Sequence, residues 1–375
     1  MVDLALKNLL HDRVRFLITI SGVAFAVALV VFQVGLFVGL LGNATVTIDH
    51  IDADLWVTSR NTPNVDLAHA FPDNRVERVR SIPGVARADN LLVLFMNVSL
   101  PTGAEEMSIV YALDDFAAWH LPWDVAEGDA ALLRSGAYVM IDDSARRRFG
   151  PFEVGQYREY LGRRLKIVGR TRGARSFTTT PISFVDFRMA QQLSPEWFGG
   201  QTSFVLVRLA PGAEREAVRA EIQRRLPHND VYTGTEWATR SRKYWTESTG
   251  LGFNMFLTVF LGCLVGVVVV ALTLYTSTME HLREYGTLKA IGASNADIYR
   301  ILARQATLAA VIGYVVGIGP AWLSRYAVAR MDLSLVITPE LAATTFLGTV
   351  ALCLLSAMVS FRKVAGIDPA LVFRQ

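Results

Sequence analysis

The sequence predicts an integral membrane α-helical protein with four transmembrane helices and one large mixed α/β extracytoplasmic domain between the first and the second. Three observations predict it. The 375 residues are 52% hydrophobic and only 19% charged, too apolar for a string of soluble domains. Four uncharged apolar runs of about 18–26 residues are each long enough, at about 1.5 Å per residue, to cross a hydrocarbon core about 30 Å thick. Between the first run and the second, from Asn43 to about Thr249, hydropathy collapses and short strand-like and helix-like patterns alternate.

The elements follow in order. Residues 1–15 place Leu4, Leu6, Leu9, Leu10 and Val14 among Asp3, Lys7, His11, Asp12, Arg13 and Arg15, the pattern of a short amphipathic helix on a membrane surface. Residues 16–42 form the first crossing. Its apolar run far exceeds the roughly 7–15 residues of a cleaved signal segment, so it reads as an anchor. In the domain, 43–249, VERVRS reads as a helix, Ile82-Pro83-Gly84 as a turn and LLVLFMNVSL as a strand. Further strands are expected at Tyr138–Ile141, Leu165–Val168 and Ser203–Arg208, a helix at Pro211–Leu226, and a closing strand from Val231. The remaining crossings are 250–278, 301–324 and 341–361. A cytoplasmic loop, 279–300, a short outer loop, 325–340, and a cytoplasmic tail, 362–375, complete the chain.

Four crossings put both termini on one side. That side carries Lys7, Arg13, Arg15, Arg283, Lys289, Arg300, Arg304, Arg362, Lys363 and Arg374, against Arg325 and Arg330 in the short loop opposite. Positive residues stay inside, so both termini are expected in the cytoplasm and the α/β domain outside.

Inside the membrane, three crossings carry glycines one turn apart: Gly35 with Gly39, Gly262 with Gly266, and Gly313 with Gly317. Such pairs let helix backbones approach closely, either within the chain or at a subunit interface. Gln33, near the middle of the first crossing, needs a polar partner in hydrocarbon and should face another helix, as packing glue or as a substrate contact. No Asp, Glu, Lys, Arg or His lies mid-membrane, whereas ion-coupled carriers keep one on the pathway, so energy is expected to enter from elsewhere. Cys263 and Cys353 both sit in apolar runs, as small hydrophobes do.

The loop MEHLREYGTLKAIGASNADIYR reads as two short helices joined by a tight turn. Glu280, Arg283, Glu284 and Lys289 fall on solvated faces, and Tyr285, Leu288 and Ile291 on apolar ones. Gly292 breaks the run, and Ser294 or Asn295 caps the next helix ahead of Asp297.

This loop resembles that of FtsX/MacB-type (type VII) ABC transporter permeases. The resemblance runs through Glu280, Glu284, Tyr285, Gly286, Leu288, Lys289, Ala290, Ile291, Gly292, Ala293 and Ser294. It extends to the tail VAGIDPALVFRQ, with Asp368 and Pro369, and to VERVRSIPGVARAD in the outer domain; the first crossing is similar to that of the DevC-like branch. The resemblance implies a MacB-like porter with an inserted subdomain outside, and a homodimer in a bacterial inner membrane. It also implies a coupling helix at Glu284–Ser294 seated on a cytoplasmic ABC ATPase. The sequence contains no G-x-x-x-x-G-K-[ST] phosphate loop. ATP and Mg are therefore expected on a dimeric partner ATPase from another polypeptide, with no cofactor on this chain. A periplasmic adaptor and an outer-membrane channel are the further partners the resemblance implies, alongside membrane lipids.

Other classes find little support. The net charge of +3 is scattered, without clustered basic residues and stacking aromatics, which argues against nucleic acid. His11, His50, His69, His120, His228 and His281 are spread singly, with no metal-ligand spacing. Asp114-Asp115 and Asp142-Asp143 read as caps at element ends rather than as a catalytic pair. Gly169–Thr180, GRTRGARSFTTT, reads as a solvated basic hairpin that could touch an adaptor. The expected function is ATP-driven export or extraction of a lipid-like, amphipathic or peptide substrate. The rivals are an FtsX-like activator of a cell-wall hydrolase, which would have a smaller outer domain, and a lipoprotein-release permease.

Overall fold

The computed structural model describes residues 13–365 apart from 281 and 332. The expected surface helix therefore lies almost wholly outside the described residues, as do Asp368, Pro369, His11 and His281. The chain divides into a helical unit, which continues from Gly252 after the first crossing, and an α/β unit over Leu40–Leu251.

Helix α1 (Arg13–Asn43) is followed by the short α2 (Val46–His50) and by strand β1 (Leu55–Ser59). Next come β2 (Phe71–Pro72), α3 (Arg75–Arg80), the long β3 (Val85–Ser99) and β4 (Glu105–Leu113). An inserted stretch holds β5 (Val125–Gly128), β6 (Tyr138–Asp142), β7 (Tyr157–Tyr160), β8 (Arg163–Thr171), β9 (Ile182–Asp186) and α4 (Phe187–Leu193). The chain returns through β10 (Gln201–Thr202), β11 (Phe204–Leu209), α5 (Arg215–Arg225), β12 (Asn229–Thr233) and α6 (Gly234–Lys243).

The main sheet runs β12-β1-β11-β3-β4-β9-β6-β8-β5, with β7 against β3 and β8. Its first four strands are antiparallel throughout. In chain order β1-α3-β3 and β11-α5-β12 give the spatial order 4-1-3-2, a ferredoxin-like split βαβ fold whose central hairpin connection carries the insertion. Side chains alternate between faces, as the pleat requires. Leu55, Val57, Val205 and Val207 pack with Val76, Val79, Val218 and Ile222 beneath α3 and α5. Trp56, Phe204 and Leu206 point the other way, into a core shared with Tyr111, Trp119, Phe184 and Trp237. The inserted subdomain has its own core around Leu92, Met96, Phe152, Tyr160, Ile167 and Val185. β3, fifteen residues long, runs from one half into the other.

The sequence reading missed several elements, among them β1, β4, β9 and α6 and the short β2, β5, β7, β10, α2 and α4. In β4, EEMSIVYAL, six consecutive buried residues erase the apolar alternation because both faces of the strand are covered. One expectation is overturned. Gly169–Thr180 is not a solvated hairpin: its first three residues end β8, and Ala174, Ser176, Phe177 and Thr180 are buried.

Beyond the α/β unit, α7 (Leu251–Glu280), α8 (Leu282–Ala290), α9 (Asn295–Ala329) and α10 (Pro339–Ala365) complete the helical unit. Among the described residues, four helices are long and apolar enough to cross a membrane: Phe16–Asn43, Leu251–Glu280, Asn295–Ala329 and Pro339–Val359.

Candidate functional site: the turn after the second crossing and the helices that carry it

The segment between α7 and α9 is built by its end signals. Gly292 takes φ +106°, a conformation L side chains rarely adopt. The N–H of Ala293 donates to Leu288 O at 2.9 Å and that of Gly292 to Lys289 O at 3.0 Å, closing α8 in a Schellman motif. Ser294 then caps α9. Its hydroxyl accepts from Asp297 N at 3.2 Å, its own N–H donates to Asp297 Oδ2 at 3.1 Å, and Arg300 pairs with Asp297 at 3.0 Å. A helix stop and a helix start only four residues apart fix the turn at Ile291–Ser294 rigidly.

Tyr285, Leu288, Ile298, Ile301 and Phe361 form a small apolar cluster under this turn, and Tyr299 meets Phe361 edge-on at 5.5 Å. Gly286 is buried beside Tyr285, whereas Glu280, Glu284, Gly292 and Ser294 are exposed and Lys289 and Ala293 half-buried. Ala290 closes the helix. Two expectations are corrected here. The second half of the loop is not a separate short helix but the first turns of the 35-residue α9, because nothing interrupts the helix between the Ser294 cap and the apolar run. Ile291 does not lie on the apolar face: α8 ends at Ala290, helical periodicity no longer applies, and Ile291 is 81% exposed.

The paired glycines pack inside the chain. A Cβ on Gly262 would meet Leu29 at 2.9 Å, and one on Gly266 would meet Ala26 at 3.0 Å. A Cβ on Gly313 would sit 2.5 Å from Val23 Cγ1, and one on Gly317 2.5 Å from Ala24 O. Helix α1 is thus held between α7 and α9 by close backbone approach. Gly35 and Gly39 face the segment before α10: a Cβ there would sit 2.9 Å from Val336 O and 1.8 Å from Ser334 O. The N–H of Val336 donates to Gly35 O at 3.0 Å. Gln33 is half-buried. Gln305, a buried amide on α9 that sequence reasoning passed over, was visible as a polar residue within an apolar stretch. A cavity of about 360 Å³, lined by α1, α7 and α10, is apolar apart from hydroxyls such as Thr344, Thr349 and Ser356. These bond to carbonyls of their own helix.

In the α/β unit the adjacent aspartates act as connectors. Asp142 accepts from Ser144 N, Thr171 Oγ1 and Ala174 N, and Asp115 from Ala118 N and Arg87. His50, His69, His120 and His228 are exposed, and among the described residues no group of three His, Cys, Asp or Glu could hold a metal ion. Asp66, which drew no notice in the sequence, is buried. Among the described residues it receives only long contacts of 3.4 Å from Tyr111 Oη and Phe177 N, and burial pushes its carboxyl up to about 7.

Four long apolar helices among the described residues and a large α/β unit define a multi-pass membrane protein with one large α/β domain. Residues 16–225 match the MacB-like periplasmic core domain family, and residues 256–369 the FtsX-like permease C-terminal family. The first match covers more than half of the chain, and the chain belongs to this MacB/FtsX-type family of ABC transporter permeases. It is 25% identical over 379 residues to an uncharacterized ABC transporter permease of Mycobacterium bovis, covering 100% of this chain and 99% of the relative. To another from Mycobacterium tuberculosis it is 24% identical over 380 residues, with the same coverage. The periplasmic region of MacB from Actinobacillus actinomycetemcomitans is similar with a TM-score of 0.40 at 8% identity, covering 50% of this chain and 92% of that one.

Proposed function

We propose that this permease passes the energy of ATP hydrolysis from a separate cytoplasmic ATPase to its α/β domain outside the membrane. The work done is export, or extraction from the outer leaflet, of a lipid-like, amphipathic or peptide substrate, with an adaptor and an outer-membrane channel as in DevC-like systems. The chain acts as a homodimer in a bacterial inner membrane, with both termini cytoplasmic, and ATP and Mg stay on the ATPase.

The observation that carries this reading is Ile291, an 81% exposed aliphatic side chain on a turn fixed at both ends. A flexible loop would lose conformational freedom on docking, whereas this turn has already lost it. Burying Ile291 in a partner's groove contributes about 1.5–3 kcal/mol. The surrounding positive residues support a cytoplasmic position. The uncharged crossings support an energy source other than an ion gradient.

The test places a photo-crosslinking amino acid at position 291 of the full-length chain in its native host. The expected product is a crosslink to an ATPase that carries a phosphate loop, identified by mass spectrometry. Cysteine labelling adds the orientation: an impermeant maleimide should reach a cysteine at Gly103 and not one at Asn295 in intact cells. Crosslinks to lipid alone, or the reverse labelling pattern, would refute the reading.

A further inference from the structure

Three stretches of chain meet in a small apolar cluster separate from the main cores. The last turn of α1 and the residues after it supply Leu40, Leu41 and Ala44, the run before α7 supplies Tyr244 and Trp245, and the inserted subdomain supplies Phe177. The Phe177 ring stacks on the Trp245 indole with centroids 4.1 Å apart and planes 12° from parallel. Trp245 lies in a π-helical turn, Tyr244–Ser248, that continues α6 toward the second crossing. Such wide turns are uncommon and are often found at functional sites.

Phe177 is held from behind. Its N–H donates to Asp66 Oδ2 at 3.4 Å, and its loop is tied to β6 by Ala174 N on Asp142 at 2.8 Å. Within the loop, the hydroxyls of Ser176, Thr178 and Thr180 form a ladder at 2.9 and 3.0 Å, and Thr180 N donates to Ser176 Oγ at 3.2 Å. These bonds brace the loop behind the Phe177 ring. Part of the polar stretch that the sequence offered as an adaptor contact thus faces inward, while Arg172, Gly173 and Thr178 stay exposed.

We propose that Asp66, Phe177 and Trp245 form a joint that positions the chain running into the second crossing and passes movement between that chain and the inserted subdomain. The proposal deepens the permease reading above and rests on it for the use of the movement. The joint itself needs no ATPase to be observed. Phe177 and Trp245 act in it as positioning residues.

The experiment follows backbone hydrogen exchange of the full-length protein in nanodiscs, reading peptides over 244–251 and 172–181, with 215–225 in α5 as the control. Phe177→Ala should speed exchange over 244–251 by roughly three- to ten-fold, the range expected for losing a stacked aromatic pair. Phe177→Tyr, which keeps the ring, should restore it, and α5 should not change. Asp66→Ala should also speed exchange over 244–251, but add nothing in a Phe177→Ala background, because its effect travels through the ring. If Phe177→Ala fails to fold, Phe177→Leu gives the same reading with less lost volume. Unchanged exchange over 244–251, or an Asp66→Ala effect that persists without the aromatic ring, overturns the joint. Failure of the crosslink at position 291 overturns the ATPase reading and leaves these exchange rates as they are.

Discussion

Asp66→Asn isolates a single buried carboxyl. Tyr111 Oη and Phe177 N reach Asp66 only at 3.4 Å, and Tyr111 itself shares its hydroxyl with Thr47. Contacts this long do not replace lost hydration, so the carboxyl keeps its proton up to about pH 7, against 3.8 for an exposed one. Between pH 4 and pH 7 the folded state therefore holds a proton that the unfolded state has released. The stabilisation is full below pH 4 and is lost as pH rises through 7. A shift of about 3 units at about 1.36 kcal/mol each comes to roughly 4 kcal/mol, of which about 2–3 kcal/mol falls between pH 5 and pH 7. Asparagine is nearly the same shape and never ionises, so the variant lacks this component. Thermal unfolding of the full-length protein in detergent, followed by tryptophan fluorescence at one scan rate, should show the variant close to wild type at pH 5 and clearly more stable at pH 8. A difference between the two proteins that stays constant from pH 5 to pH 8 would refute the assignment.

Three further outcomes follow from local geometry. Gly292→Val forces a β-branched residue to φ +106° and should weaken the crosslink from position 291 at least several-fold, with membrane insertion unchanged on fractionation. Gly39→Ala would set a methyl 1.8 Å from the Ser334 carbonyl oxygen and should lower the melting midpoint by an amount equivalent to about 1–3 kcal/mol, whereas Gly348→Ala, with open space around it, should change it little. Ser241→Ala removes a buried hydroxyl with no hydrogen-bond partner among the described residues, so stability should hold or rise by up to about 1 kcal/mol; a loss above 1 kcal/mol would reveal a partner.

Some of this protein is written in one dimension. A crossing is about 20 apolar residues in a row whatever surrounds it, so all four membrane helices could be read from hydropathy alone. The turn between α8 and α9 was legible for a similar reason: Gly292 and the Ser294–Asp297 box are local signals, acting over a few residues of backbone. Ile291 was misread because its exposure depends on where α8 stops, and a shift of one residue past the helix end removes it from the apolar stripe. Tertiary structure decided the remainder. β4 is covered on both faces, so its pattern carries no strand period. The glycine pairs could have served a subunit interface until the helices facing them were known. Phe177, Trp245 and Asp66 are far apart in sequence, and nothing local marks an aromatic ring for a partner 68 residues away or an ordinary aspartate for burial. Short-range steric rules and hydropathy fix elements. Only long-range packing determines which of them meet and which carboxyl loses its water.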